Sequence, residues 1–279
     1  STSKIEIMKT IIIATDFFFF SDNAAFYAAD MALALNAGLF IFHSFQIPVS
    51  YADVPLTLSA NDLRADAEED ISKLKNRLLA HTKDKLRIET IVEEGIFFAE
   101  LKKLCERLQP YAVVMGCQGS SNTERLFFGS ESVYTAKHLE WPVITVPVNT
   151  TLRNIKKIGL ACDFDHVVET IPANEIKKLV TDFKAELHIL NTGTNAKYSP
   201  ELVFQSGMLQ EMIADLKPAY HFISNRNITE GIIEFADKNS IDLLIVVPKH
   251  HLLPGKLLSK STTKQFVLHS HVPVLALHQ

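Results

Sequence analysis

Cysteine is scarce in this sequence: the 279 residues include three, at Cys105, Cys117 and Cys162. An odd number without regular spacing argues against a disulfide framework, and no CxxC or Cys/His ligand pattern surrounds any of them. Cys105 and Cys162 lie in apolar runs and are predicted to be buried thiols, whereas Cys117 lies in a glycine-rich stretch where it could be exposed. This usage fits a protein of a reducing cytoplasm.

Excess positive charge and long apolar runs are missing as well. The formal net charge of −4 argues against a general binder of nucleic acid or anionic membrane, since either would need a basic face. The run IIIATDFFFF is too short to span a membrane and contains Asp16, and no secretory signal is convincing. With 47% hydrophobic and 22% charged residues, the composition is that of a soluble globular protein with a proper core.

Strand-like and helix-like patterns alternate along the first half of the chain. KTIIIATDF contains an unbroken apolar run that stops at Thr15-Asp16, which is typical of a parallel strand covered on both faces, and LFIFHSF and YAVVMG are predicted to be further buried strands. SDNAAFYAADMALALNAG has helical spacing, with Ser21 as the predicted N-cap and Gly38 as the predicted end. A second, amphipathic helix is predicted to face inward through Leu63, Ile71, Leu74 and Leu78. The alternation predicts a doubly wound α/β sheet of mainly parallel strands.

The same order of patterns returns in the second half. KKIGLACDFD echoes MKTIIIATDFF, KAELHILNTG echoes NAGLFIFHSF, IDLLIVVPKH echoes YAVVMGCQG, and HVPVLALH echoes EWPVITVPV. The period of about 130 to 148 residues is far longer than that of solenoid repeats. The sequence therefore predicts a tandem duplication of one domain, with the domains at residues 1–150 and 151–279.

Glycine is sparse except in one stretch, GCQGSSNTERLFFGSES, which contains Gly116, Gly119 and Gly129. The stretch begins where the strand YAVVMG ends, at the edge where α/β sheets bind ligands. Glycine lets backbone amides turn toward an anion, and Ser130 can begin the next helix, where free amides favour phosphate. The hydroxyl of Ser132 can add a hydrogen bond. The spacing fits neither a Walker A loop nor GxGxxG, so spacing alone leaves a phosphate cradle and a flexible surface loop equally open.

The spacing Gly116-x2-Gly119-x9-Gly129-Ser130 resembles the nucleotide motif of the universal stress protein family. The strand endings ATDF and PVITVPV resemble that family too, and the likeness covers essentially the whole chain as two consecutive domains. The resemblance implies a Rossmann-like fold of the adenine nucleotide alpha hydrolase type, with a mainly parallel five-stranded sheet in each domain. It also implies ATP as the ligand, accompanied by Mg²⁺.

The resemblance further assigns residues to parts of the nucleotide. It places the adenosine portion at Ala14, Thr15 and Asp16, with the backbone of Ser44 approaching the base and Met115 flanking it. It surrounds the phosphates with Gly116, Gly119, Gly129, Ser130, Glu131 through its backbone, and Ser132. Taken without the family pattern, Asp16 is better interpreted as a cap or turn residue of the following helix.

Two departures from the family pattern concern the same site. Glu131 stands where the family usually has a small or apolar residue, which puts a carboxylate beside the predicted phosphates. The run Phe17 to Phe20 replaces small polar residues. We expect two or three of these rings to be buried against the following helix, with the others forming an apolar lip over the nucleotide or a docking surface.

The second half keeps Asp163 but loses the glycine motif. Pro248, His250 and His251 replace its first part, and Lys260 stands where Gly129 would be, although Ser261 and Thr263 keep hydroxyls. Proline supplies no amide donor and histidine resists glycine conformations, so we predict one nucleotide per chain, in the N-terminal domain. The histidines His250, His251, His269, His271 and His278 have no completing carboxylate or cysteine, and no metal site is predicted.

The function predicted from the sequence is an ATP-binding regulatory or stress-response protein. A slow ATP hydrolase and a nucleotide-free scaffold are the alternatives, but no spacing indicates a nucleophile with its base, and Arg125 alone could reach the terminal phosphate. We therefore expect a binding protein rather than an enzyme. Family domains commonly pair through their final strands, so the resemblance implies an internal pseudo-dimer of the two domains, and a homodimer of chains is possible.

Overall fold

The computed structural model of the chain describes residues 9–47, 59–117, 128–152, 154–164, 166–191, 200–225, 227–248 and 260–278. The chain forms two compact units, Ser1–Gly116 and Cys117–Gln279. The domain boundary that the sequence predicts, between residues 150 and 151, lies C-terminal to this division and stays a prediction.

The first unit alternates strands and helices. Its elements are β1 (Thr10–Ala14), α1 (Phe19–Ala34), β2 (Gly38–Phe45), α2 (Ala60–His81), β3 (Ile88–Glu94), α3 (Phe97–Leu108) and β4 (Ala112–Cys117). The strand order is β3-β2-β1-β4, and the β1–β2, β1–β4 and β2–β3 pairings are all parallel. The side chains of Ile11, Ile12 and Ile13 in β1 are completely buried, as expected for a central parallel strand with an unbroken apolar run.

The first helix begins earlier than the sequence pattern predicts. Ser21 is not the N-cap but lies in the first turn, and the N-cap is Phe18, whose side chain makes no capping hydrogen bond. Gly38 does not end the helix but begins β2. The turn after Ala34 is made instead by Asn36, with φ of 51°, because asparagine tolerates the left-handed conformation better than most residues.

The long helix α2 follows its predicted amphipathic pattern. Ser59 accepts a hydrogen bond from the backbone N–H of Asp62, whose side chain accepts one from the Ser59 backbone in return, and this capping box fixes the helix start. The buried face consists of Ala67, Ile71, Leu74 and Leu78, while Leu63 is half-buried. Among the helices that the structure describes, none is both long and apolar enough to cross a membrane.

The second unit repeats the same alternation. Its elements are α4 (Phe128–His138), β5 (Val143–Pro147), β6 (Lys157–Ala161), α5 (Val167–Thr170), α6 (Ala173–Phe183), β7 (Glu186–Asn191), α7 (Pro200–Met212), β8 (Ala219–Phe222), α8 (Ile228–Lys238), β9 (Leu243–Val246), α9 (Lys260–His269) and β10 (Val274–Ala276). The strand order is β5-β10-β9-β6-β7-β8. The five strands from β10 to β8 are parallel, so the predicted doubly wound α/β class is confirmed.

The last strand of the first half, β5, belongs to the second unit because it pairs there with the last strand of the second half. The β5–β10 pairing is antiparallel, with Thr145 opposite Val274 and Ile144 opposite Leu275. Helices α4 and α9 pack against each other beside these strands. All four paired side chains are buried, so this is a buried contact rather than a marginal edge pairing.

The three cysteines are free thiols, and all are buried. The expectation that Cys117 could be exposed is wrong, because this residue is the last of β4 rather than part of a surface loop. Burial raises the pKa of Cys117 to about 12, against a smaller lowering by a hydrogen bond with Thr145. Burial likewise raises the pKa of Cys105 to about 12, so neither thiol is a reactive nucleophile.

A histidine pair joins β7 to β8 at the edge of the second sheet. His188 Nδ1 lies 3.0 Å from His221 Nε2, and the two rings stack with centroids 5.2 Å apart. The ring of Phe235 in α8 lies 4.7 Å from that of His221, and Glu186 Oε2 lies 3.6 Å from His188 Nε2. Because one ring nitrogen must donate and the other accept, protonation of both rings would break this contact.

Stability is expected to fall as the pH falls below 6.5, the usual pKa of histidine. Burial, followed by the charge of His188, lowers the pKa of His221. The unfolded chain therefore binds more protons than the folded chain in this range, and the stabilisation present above pH 6.5 is lost on acidification. Melting curves of wild type and His221→Gln at about pH 7.5 and about pH 5.5 measure this loss of stability. The melting temperature of the variant should change less between the two pH values; equal changes in both proteins would contradict the assignment.

Candidate functional site

The carboxyl ends of three strands meet at one edge of the first unit, where the sequence predicts the adenosine portion of a nucleotide. Ala14 at the end of β1 is in register with Phe42 on β2 and with Met115 on β4. Ser44 lies near the end of β2 and is half-buried. Parallel strands bring their carboxyl ends to one edge, so Ala14, Ser44 and Met115 lie at the same end of the sheet.

Asp16 follows Thr15 at this edge and holds the turn that leads into α1. Its Oδ1 accepts a hydrogen bond from the backbone N–H of Phe18 at 3.1 Å and another from the hydroxyl of Ser21. The interpretation of Asp16 as a turn residue is therefore confirmed. In the part of the chain that the structure describes, no group donates to Oδ2. One carboxylate oxygen can thus maintain the turn while the other accepts a hydrogen bond from a ligand.

The backbone of Thr15 is fixed by groups that the sequence pattern did not reveal. Its N–H donates to the Phe42 carbonyl at 3.0 Å, and its Oγ1 accepts from the N–H of Phe17 at 3.0 Å. His43 Nδ1 lies 2.8 Å from the Thr15 carbonyl oxygen. A carbonyl oxygen only accepts, so Nδ1 carries a proton in this contact. His43 is the residue at this edge that the sequence pattern did not single out.

The second unit builds the same turn from different side chains. Cys162 donates its N–H to the Leu190 carbonyl at 3.1 Å, and its Sγ accepts from the N–H of Phe164 at 3.4 Å. Asn191 Nδ2 donates to the Cys162 carbonyl at 2.9 Å. Asn191 and His43 occupy the same position in the repeated strand patterns LHILN and LFIFH, which is the signal that would have revealed both.

The first glycine of the motif, Gly116, is required by the close approach of α1. A Cβ atom at this position would lie 2.5 Å from the carbonyl oxygen of Phe20 and 2.9 Å from the backbone nitrogen of Ser21. Both neighbours are backbone atoms, which cannot move aside without displacing the first turn of α1. Gly116 therefore has a packing role, whether or not its amide contacts a phosphate.

The remaining motif residues lie in the second unit or outside the described residues. Gly119 falls outside them. Gly129 lies in the first turn of α4, followed by Ser130 and Glu131, which are exposed. Ser132 is 2% exposed, so its side chain faces the protein interior. The carboxylate of Glu131 is on the surface, and the phosphate roles of these residues stay predictions.

The four-phenylalanine run is less buried than the sequence predicts. Phe18 is 48% exposed and Phe19 is 66% exposed, while Phe17 and Phe20 are half-buried. The expectation that two or three of these rings are buried is therefore wrong. The reason is that the run forms the turn before α1 and its first two residues, rather than the buried face of the helix.

The second half places a different set of groups at its matching positions. Pro248 follows β9 and is buried, and Lys260 begins α9. Thr263 is completely buried, whereas His250 and His251 lie outside the described residues. His271 Nδ1 lies 2.7 Å from Asp237 Oδ2. Across the ranges that the structure describes, no three histidine, cysteine or acidic side chains form a metal-binding cluster.

A cavity lies elsewhere in the first unit, between α2 and β3. Its volume is about 360 Å³, and its lining residues are Glu68, Ile71, Ser72, Lys75, Thr90 and Val92. This lining is the flank of an amphipathic helix beside an edge strand, and it includes none of the residues that the sequence assigns to the nucleotide.

The similarity of this chain to known proteins extends over both of its halves. A sequence profile of the universal stress protein family matches residues 8–147 and again residues 155–278. A universal stress protein from Archaeoglobus fulgidus DSM 4304 is similar over 96% of this chain and 98% of its own, with 17% identity and a TM-score of 0.72. PA1789 from Pseudomonas aeruginosa PAO1, a protein of unknown function, is similar over 97% of this chain and 92% of its own, with 12% identity and a TM-score of 0.61.

A universal stress protein solved in complex with cAMP aligns with 51% of this chain and 98% of its own, at 20% identity and a TM-score of 0.40. The comparison with curated protein sequences finds no match. The family profile covers nearly the whole chain in two consecutive segments, and the Archaeoglobus and Pseudomonas proteins share its fold. The chain belongs to the universal stress protein family, as a tandem of two family domains.

Proposed function

We propose that this chain is an ATP-binding regulatory protein of the stress response, with one nucleotide bound in its N-terminal domain. The observation that supports this most is the state of Asp16. Its Oδ1 is engaged in the turn before α1, so the carboxylate is held in place at the carboxyl edge of the sheet. A fixed acceptor at this edge is suited to a ribose hydroxyl.

The remaining predicted residues are assigned to the base and the phosphates of the nucleotide. The backbone of Ser44 contacts the base, which Met115 flanks beside Ala14. The amides of the glycine motif, from Gly116 through Gly119 to Gly129 and Ser130, bind the phosphates. Mg²⁺ would arrive with the nucleotide and be held by its phosphates and water, since magnesium is commonly bound in this way.

Binding without rapid turnover is the activity we propose. The three thiols are buried, and two of them have pKa values raised to about 12, so neither Cys105 nor Cys117 is an activated nucleophile. The alternative of slow ATP hydrolysis rests on Arg125 alone, which lies outside the described residues. The alternative of a nucleotide-free scaffold requires a closed site, whereas Glu131 and the rings of Phe18 and Phe19 are exposed.

We also propose that the two domains form an internal pseudo-dimer through their final strands. The antiparallel β5–β10 pairing and the packing of α4 against α9 support it, since both contacts join the last elements of the two repeats. The second domain would then be structural or regulatory, or would bind a different ligand. Association of two chains is compatible with this arrangement, and free thiols fit a cytoplasmic protein.

Calorimetric titration with ATP, ADP and AMP, followed by an assay for released phosphate, tests the proposed function. We expect ATP to bind at one site per chain without stoichiometric product over minutes. Gly129→Val places a branched side chain in the first turn of α4 and is expected to abolish ATP binding, because it obstructs the amides that would face the phosphates. A melting temperature close to that of wild type would show that the variant folds.

Each contrary outcome points to a different alternative. Stoichiometric product over minutes would favour the hydrolase. Absence of binding heat in wild type would favour the scaffold. Unchanged ATP affinity in Gly129→Val would refute the assignment of the phosphate site to this motif.

A further inference from the structure

We propose that the paired rings of Phe17 and His43 form the surface on which the base of the nucleotide stacks, with His43 positioning that surface through its hydrogen bond to Thr15. The inference rests on the proposed function and identifies the part of the site that recognises an aromatic base. The ring centroids lie 4.5 Å apart and the planes are inclined by 35°.

The two rings lie beside residues that are assigned to adenosine. Phe17 directly follows Asp16, the proposed acceptor for the ribose, and His43 directly precedes Ser44, whose backbone is the proposed base contact. The ring pair is therefore flanked in the chain by the two residues assigned to adenosine. Since β1 and β2 are paired in register through Ala14 and Phe42, these segments leave the sheet side by side.

The ring of Phe17 is held in place while remaining accessible. Phe17 has a φ of 63°, which is uncommon for a bulky residue and is maintained here by the hydrogen bond from its N–H to Thr15 Oγ1. Its side chain is half-buried, and in the described part of the chain its ring contact is with His43. A fixed, partly exposed aromatic face is what base stacking requires.

The same turn in the second half buries its phenylalanine ring instead of exposing it. Phe164 has a φ of 51° and donates the equivalent hydrogen bond from its N–H to Cys162 Sγ, but it is 3% exposed and packs against Phe222, with ring centroids 6.3 Å apart. Asn191 replaces His43 and supplies the hydrogen bond without a ring. In the half that lacks the glycine motif, the phenylalanine of this turn is therefore buried, and no ring stands at the position of His43.

Two variants separate stacking from folding. Phe17→Leu keeps an apolar side chain of similar volume but removes the aromatic face. His43→Asn keeps a donor for the Thr15 carbonyl, as Asn191 does in the second half, but removes the other ring. Phe19→Leu is the matched control, since Phe19 is a neighbouring exposed ring that packs beside Phe20 and is outside the pair.

The test is calorimetric titration of each variant with ATP and with ribose 5-triphosphate, which keeps the ribose and phosphates but lacks the base. Phe17→Leu is expected to lower ATP affinity by about 5- to 100-fold, the range that loss of one base–aromatic stack produces. His43→Asn should lower it less, since Phe17 remains. Affinity for ribose 5-triphosphate should stay within about twofold of wild type in both variants.

The proposal is overturned if wild type binds ATP and Phe17→Leu binds it equally well, or if affinity for ribose 5-triphosphate falls in parallel with ATP. An equal loss of ATP affinity in Phe19→Leu would also overturn it, because the effect would not belong to the stacked pair. Wild type that binds neither ligand would instead reject the proposed function, so the two failures are distinguishable.

Discussion

Asp16→Asn is expected to lower ATP affinity by about 10- to 100-fold while leaving the melting temperature near that of wild type. The amide oxygen of asparagine can replace Oδ1, which accepts hydrogen bonds from the Phe18 N–H and the Ser21 hydroxyl. The amide nitrogen then replaces Oδ2, so an acceptor becomes a donor where the ribose hydroxyl would bind. Calorimetric titration and a melting curve on the same preparation measure both effects.

Asp16→Ala is the companion variant, because it removes the turn acceptor as well as the ligand acceptor. We expect it to lose ATP affinity and also to lower the melting temperature, since the start of α1 loses two hydrogen bonds. If Asp16→Asn retained full ATP affinity, the carboxylate would be a turn residue only. The assignment of ribose to this edge would then be rejected.

Gly116→Ala is expected to destabilise the protein by about 3 kcal/mol, the upper part of the range for overpacking. The added Cβ would lie 2.5 Å from the Phe20 carbonyl oxygen and 2.7 Å from its carbonyl carbon. Relief requires displacement of the first turn of α1, which also carries the Ser21 hydroxyl bound to Asp16. Denaturant unfolding followed by circular dichroism measures the change.

Gly207→Ala provides the matched control for that measurement. Gly207 lies inside α7, and a Cβ there would have no neighbour within 4 Å. Alanine in an open helical position should stabilise the protein by about 0.5 to 1 kcal/mol. If both glycine variants changed stability equally, the close contact at Gly116 would not be the cause. Because the added Cβ in Gly116→Ala also disturbs the packing of α1, loss of ATP binding in this variant alone would be no evidence about the phosphate site.

The strands and the tandem repeat were predictable from the sequence because they depend on burial alone. The apolar run around Ile11 to Ile13 is typical of a central strand covered on both faces, and the structure places it in β1. The amphipathic pattern of α2 likewise predicted its buried face, except that Leu63, near the start of the helix, is only half-buried.

The start of α1 was not predictable, because side chains compete for the same backbone groups. The pattern favoured Ser21 as a cap, but its hydroxyl donates to Asp16 from inside the helix. Asp16 Oδ1 binds the N–H of Phe18, so the helix begins at Phe19. Two phenylalanines thereby take exposed positions that their hydrophobicity would not predict.

His43 was not predicted from the sequence for a related reason. A polar residue at the end of a buried strand has no periodicity of its own, and its partner, the Thr15 carbonyl, is a backbone atom. The repeat contains the missing information, since Asn191 makes the same contact with Cys162 in the second half. Comparison of the two halves residue by residue identifies the position, although His43 and Asn191 share only the ability to donate a hydrogen bond.

A crystal structure of the chain grown with ATP and Mg²⁺ would show directly where the nucleotide binds. We expect one nucleotide per chain, with its ribose on Asp16, its base beside Ser44 and Met115, and no nucleotide in the second half. A nucleotide bound at the second half, or a first half without nucleotide and closed by the phenylalanine rings, would contradict it.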